Sequence, residues 1–274
     1  APRIFSLLVL ILGVSPLLGP TIGGFIALHF SWRVLFLTLV LIALFLMLLV
    51  RFFLIGAKAA DKEVSIRVKA MVVTYKAILK FKGFHTYAFA GAFSFSTLFV
   101  YVAASPIIFM QHYTLSPQAY SLIFALIAGG FLLASQLNVV LGKRIRPEKV
   151  FRVTLLIQLI SSALFLSAAL VGFLNVYSTF FFLFVCLSCI GMSNPNASAL
   201  ALAPFSRHVG SASALLGFVQ TGISALVSVA VAPLGPYGLS AIVSLFFVTT
   251  LIAVVILFWA GRRSPNSHSM VLVG

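Results

Sequence analysis

Cys186 and Cys189 stand in a C-x-x-C pattern, a spacing that in a soluble protein binds metal or runs thiol–disulfide exchange. Here the pair lies inside an apolar run, with no second pair and no histidine nearby, so two small packing residues are expected and no metal site. The acidic residues Asp61, Glu63 and Glu148 fall in polar segments, and the five histidines fall at the ends of apolar runs, in loops or in the tail. Acid–base and nucleophilic catalysis need such groups gathered in a cleft. No phosphate-binding loop, nucleophile elbow or helical zinc-binding histidine pair occurs either. The sequence thus predicts no enzyme, no catalytic residue and no cofactor.

A different chemistry is open to the uncharged polar residues inside the apolar runs. Ser94, Thr97, Tyr101 and Ser105 recur every three or four residues and share one helix face, as do Ser213, Gly217, Gln220, Ser224 and Ser228. Gln136 and Asn138 stand in another run, and Asn194, Asn196 and Ser198 in a third. Each reads in two ways: an interhelical hydrogen bond that holds a bundle, or part of the wall of a central cavity. Tyr101, Gln136, Asn194 and Gln220 are the candidates for a cavity wall, because amides and a phenol make directional contacts amid apolar surface.

These residues need elements to hold them, and composition says which. Of the 274 residues 62% are hydrophobic and 8% charged, far from the quarter or so of charged residues in a soluble domain. Runs long enough to cross about 30 Å of hydrocarbon as a helix occur at 5–30, 34–55, 84–110, 120–141, 153–173, 177–202, 212–234 and 238–260. They are continuous rather than alternating, which excludes a β-barrel and predicts an all-α membrane protein of about eight transmembrane helices. The first run is long, holds Gly and Pro, and lacks a basic leader, so it reads as a span and not as a cleavable signal. Ala1-Pro2-Arg3 resembles the end of an internal loop, and the chain is expected to be a fragment.

The net charge of +15 would suggest nucleic acid in a soluble protein. Here the cations obey the rule that keeps Lys and Arg on the cytoplasmic side. Arg3, the Lys and Arg residues from Lys58 to Lys82, Lys143, Arg144, Arg146, Lys149, Arg207, Arg262 and Arg263 all fall on one side of the eight-span order, and only Arg33 falls on the other. Both ends of the chain are therefore expected in the cytoplasm, with no nucleic-acid partner. The polar stretch 56–83 carries Val64, Val68, Met71, Val72, Tyr75, Ile78 and Leu79 at helical spacing, with Lys69, Lys76 and Lys80 elsewhere. It is expected to lie along the membrane surface as a basic amphipathic linker. The domains are then 1–55, the linker 56–83, and a six-helix bundle with a short tail over 84–274.

Gly13, Pro16, Gly19, Pro20, Gly23 and Gly24 are too many helix breakers for ordinary apolar filling. Gly19 and Gly23 allow close backbone approach, and the two prolines remove helix hydrogen bonds. The run resembles the antiporter motif of the major facilitator superfamily, which lies in the fifth of twelve helices. In that family W-R-x-x-F opens the sixth helix, and Trp32-Arg33-Val34-Leu35-Phe36 stands at the matching place here. The whole chain resembles helices five to twelve of a drug:proton antiporter of the Bcr/CflA, or bicyclomycin-resistance, branch.

The resemblance implies a multi-pass protein of the bacterial inner membrane that works as a monomer and exports a drug-like or metabolite small molecule in exchange for protons. It also places the titrating carboxylate in the first four helices of that family's pattern. The alternatives are an importer of the same superfamily and an inactive fragment without those four helices.

Overall fold

The computed structural model describes residues 26, 30, 32–53, 68–142, 144–205 and 209–261. The chain divides into two compact units, Ala1–Met71 and Val72–Gly274. Among the described residues seven helices are long and apolar enough to cross a membrane, and they fall on the second to eighth expected spans. The expected span at 5–30 is described only at Ile26 and Phe30. The glycine–proline residues Gly13, Pro16, Gly19, Pro20, Gly23 and Gly24 lie outside the described residues.

The first unit contributes α1 (Trp32–Phe53). Its apolar side chains point outward on every side, from Phe36 to Phe52, as in a helix whose solvent is lipid or other helices. The Thr38 hydroxyl is satisfied within the helix, donating to the Val34 carbonyl at 2.8 Å.

Helix α2 (Val68–Lys80) runs across the boundary between the units, Met71 to Val72. Within the second unit, its Ile78 is 2% exposed and packs with Phe84, Ala201, Phe205 and Leu216, while Lys76 and Lys80 are exposed. The amphipathic pattern thus becomes a short helix, one of whose apolar residues pins it to the bundle.

The spans of the second unit are α3 (Lys82–Pro106), α4 (Pro117–Leu141), α5 (Pro147–Leu170), α6 (Val176–Leu202), α7 (Val209–Val229) and α8 (Leu239–Gly261). Pro106 has no N–H to donate, and the chain continues beyond it as a wider π-helical segment, Ile107–His112. After Ala230, α7 is extended by the single turn Val231–Leu234 and the 3-10 turn Gly235–Tyr237.

The ends of the spans are set by local chemistry. Ser116 caps α4 by accepting from the Ala119 N–H, with Pro117 in the first turn. Asn175 and Ser178 form a capping box on α6. Helix α5 stops where Gly172 takes φ 73°. There the Phe173 N–H reaches the Ala168 carbonyl and the Gly172 N–H reaches that of Ala169, the two bonds of a Schellman motif.

Helices α3 and α6 hold the bundle together: α6 packs on α3, α4 and α5, and α3 on α6, α7 and α8. Small residues permit this. A Cβ on Gly91 would come within 2.7 Å of that of Ala197, and one on Gly191 would collide with the carbonyl oxygen of Phe131, so α6 meets α3 and α4 at near-backbone distance. Toward the end bearing the π segment, a core of Tyr101, Phe109, Phe165, Leu187, Ile190 and Phe246 fills the interior.

In the second unit every described Lys, Arg and Glu lies at one end, in α2, at the start of α3, and around the α4–α5 turn. The connections at the other end, 113–116, 171–175 and 235–238, carry no charged residue.

Candidate functional site

The polar residues of the bundle sort into two groups. The first is interior and closed. The Ser94 hydroxyl donates to Gln158 Oε1 at 2.7 Å and lies 3.3 Å from Ser193 Oγ. Gln158 Nε2 donates to Thr97 Oγ1 at 3.3 Å and to the Ser94 carbonyl at 3.4 Å. Thr97 is 3.2 Å from Thr249 Oγ1, which donates to the Leu245 carbonyl. Since the Thr249 proton is used there, Thr97 is the donor between the two. Four helices, α3, α5, α6 and α8, are joined by a network whose members are all buried. Its chemistry is structural, because each donor is spent on a neighbour.

The second group is half-open. Gln220 of α7 donates through Nε2 to Asn194 Oδ1 of α6 at 2.9 Å, and lies 3.5 Å from Ser198 Oγ. All three are half-buried, and beside them Ser213 and Gly217 are exposed, with nothing within 4 Å of where a Gly217 Cβ would stand. Asn194 lies about 12 Å along α6 from its Leu202 end, and Gln220 about 16 Å along α7 from Val209, taking 1.5 Å per residue. Both are thus near mid-depth of a hydrocarbon core about 30 Å thick.

The backbone is also open here. Pro195 lies inside α6 and cannot donate to the carbonyl four residues back, that of Gly191. One residue on, Asn196 is turned to the opposite side. Its Nδ2 donates to Asn138 Oδ1 of α4 at 2.6 Å and to the Met192 carbonyl at 2.7 Å.

The structure therefore brings together two of the four candidate wall residues, Asn194 and Gln220, and leaves the other two apart. Tyr101 is 1% exposed, stacked on Phe124 at 5.4 Å between ring centroids. Its hydroxyl has no hydrogen-bond partner among the described residues. Gln136 is exposed on α4, between the outward-facing Leu133 and Val140.

Ser105 of the α3 face pairs instead with the Tyr120 hydroxyl at 3.0 Å. At the uncharged end the Tyr113 hydroxyl meets Thr179 at 2.7 Å. Burial there pushes the Tyr113 phenol above its ordinary pKa, against the lowering effect of the Thr179 bond.

Gln158, the hub of the closed network, is not one of the residues singled out by type and spacing. The signal that could have found it is that it is the one amide in the apolar stretch of α5, where an unpaired amide would be costly. Cys186 and Cys189 are both buried in α6, and the Cys186 thiol donates weakly to Ser161 Oγ at 3.5 Å. Among the described residues no three His, Cys, Asp or Glu side chains gather as a metal site would require.

Seven helices apolar enough to cross a membrane, six of them packed in a bundle around small residues and an interior polar network, define a polytopic α-helical membrane protein. No family model matches the chain. Over 233 residues it is 28% identical to an uncharacterized MFS-type transporter, YdgK, of Bacillus subtilis, covering 82% of this chain and 56% of the relative. A bicyclomycin resistance protein homolog of Haemophilus influenzae is 28% identical over 84% of this chain and 58% of its own length. The multidrug resistance protein MdtL of Salmonella heidelberg is 26% identical over 98% of this chain and 67% of its own.

The chain is thus similar to major facilitator transporters of the bicyclomycin-resistance kind, as the sequence motifs imply. It spans little more than half the length of the first two of these relatives.

Proposed function

We propose that this chain supplies the last two helices of the first bundle and the whole second bundle of a twelve-helix exporter, which expels drug-like or amphipathic small molecules by alternating access. The observation that carries the reading is the Asn194–Gln220–Ser198 cluster, three half-buried polar residues at mid-depth on adjacent helices. Polar side chains at that depth are costly against lipid and are retained where they face a cavity or one another. The similarity to multidrug and bicyclomycin resistance proteins favours an exporter over an importer.

Asn194 and Gln220 are the substrate-contacting residues in this reading. Their amides offer donors and acceptors without charge, which suits varied neutral or weakly basic substrates. Among the described residues the one carboxylate is Glu148, at the start of α5. By the family resemblance, the titrating group of a proton antiporter is assigned to the first four helices of that family's twelve-helix pattern. The charged end of the second bundle is taken as cytoplasmic, by the distribution of Lys and Arg, the membrane as the bacterial inner membrane, and the working unit as a monomer.

The test is efflux of a fluorescent dye from cells stripped of their own exporters and supplied with the full-length protein. Dye loss that stops when the proton gradient is collapsed, and that falls at least fivefold in Asn194→Ala and Gln220→Ala, supports the reading. Proton-driven accumulation of a solute instead would establish the importer, and activity indifferent to both substitutions would remove these residues from the pathway.

A further inference from the structure

We propose that α5 carries a binding site for an acidic phospholipid, its phosphate held by Arg146, Lys149 and Arg152 and one acyl chain laid along the outward face of the same helix. The three cations surround an open hollow of about 830 Å³ together with Pro147, Glu148 and Val153. All three are exposed, and among the described residues none makes an ion pair. With one carboxylate, Glu148, against three cations, the rim keeps an excess of two positive charges (3 − 1). It also surrounds the first turn of a 24-residue helix, whose dipole favours an anion.

The apolar surface further along the helix distinguishes this place from a generic basic turn. Val153, Ile157, Ile160 and Leu164 continue the face at spacings of three or four residues, all 45–60% exposed, while Phe151, Leu155, Gln158 and Phe165 are buried on the other side. Between α5 and α6 the strip opens into a second hollow of about 260 Å³, lined by Ile157, Ile160, Leu164, Phe181 and Val185 among others. From Lys149 to Ile160 the rise is about 16 Å, close to the depth of one leaflet of a core about 30 Å thick.

A phosphate at the three cations thus places a fatty acyl chain in the apolar hollow without bending either. A zwitterionic lipid fits the lower hollow equally well but gains nothing from the cations, so selectivity resides in the headgroup. Free inorganic phosphate uses only the upper part.

The experiment is native mass spectrometry of the full chain with dioleoyl phosphatidylglycerol, dioleoyl phosphatidylcholine or dihexanoyl phosphatidylglycerol added. Phosphatidylglycerol should be retained at least tenfold better than phosphatidylcholine, and the short-chain lipid at least tenfold worse than its dioleoyl form. The triple change Arg146→Gln, Lys149→Gln, Arg152→Gln should abolish the headgroup preference, and Arg152→Gln alone should reduce it about fivefold, so that the single variant decides if the triple fails to fold.

Lys76→Gln with Lys80→Gln, on the other basic helix, should leave the preference intact. Equal retention of the two headgroups, preference surviving in the variants, loss of preference in the α2 variant as well, or displacement of lipid by glycerol phosphate alone would each overturn the site.

Discussion

Gln220 donates to Asn194 across 2.9 Å, from α7 to α6, near the middle of the membrane. Asn194 and Asn196 flank Pro195 and serve different helices, Asn194 reaching α7 and Asn196 reaching α4 at 2.6 Å. A proline and two asparagines thus fix the middle of α6 between two neighbours that make no main packing of their own with each other.

If the Gln220–Asn194 bond is part of a substrate wall, the two residues act as a unit. Gln220→Ala and Asn194→Ala should each lower dye efflux at least fivefold, and the double variant should lower it little further than either alone. Thermal unfolding in detergent should shift by no more than about 1 kcal/mol per variant, the usual scale of a hydrogen bond between membrane helices. Fully multiplicative losses in the double variant would show that the pair is not coupled.

Gln158 is expected to behave in the opposite way. It is completely buried and bonds to Ser94 and Thr97, so Gln158→Leu takes away the acceptor of the Ser94 hydroxyl and one donor to the Thr97 oxygen. Losing two to three interhelical bonds of about 0.6 kcal/mol each predicts destabilisation of about 1–2 kcal/mol, read as a lower detergent melting temperature. Efflux per folded molecule should be retained; a selective loss of efflux with unchanged melting would move Gln158 from the scaffold to the pathway.

The spans were legible because apolar run length is set by bilayer thickness; each described span overlaps its expected run, and the largest difference is at the start of α5, Pro147 against an expected 153. The orientation of single polar side chains was not. Gln136 and Asn138 are two residues apart, about 200° around a helix, so only one can face the interior. Sequence offers no reason to choose, and the structure buries Asn138 against Asn196 while Gln136 points out.

Tyr101 shares its face with Ser94, Thr97 and Ser105 as expected, and all four are buried. That face, however, meets other helices, and periodicity alone does not distinguish a helix neighbour from a cavity. Gln220 and Asn194 were readable as candidates by residue type, but their meeting depends on how α6 and α7 cross, which no local pattern encodes.

Glycines on one bundle should differ sharply in what they tolerate. Gly191→Ala drives a methyl group into the backbone oxygen of Phe131, which neither helix can avoid without moving apart. A cost of about 1–3 kcal/mol is expected, as for other overpacked contacts. Gly217→Ala meets nothing within 4 Å and should be neutral in stability or slightly stabilising through helix propensity. Both are read by thermal unfolding of the purified protein, and equal effects at the two positions would contradict the close α4–α6 crossing.

Gly172 tests the end of α5 rather than its packing. A Cβ there has open space, yet the residue sits at φ 73°, where an L side chain is disfavoured. Gly172→Ala should therefore cost about 1 kcal/mol through the backbone alone. Gly172→Asn should recover part of that loss, because asparagine tolerates the left-handed region and is the second choice at this position of a Schellman motif. The order Gly, then Asn, then Ala in melting temperature is the expected result. Alanine equal to glycine would mean that α5 ends without the two bonds from Gly172 and Phe173 to Ala169 and Ala168.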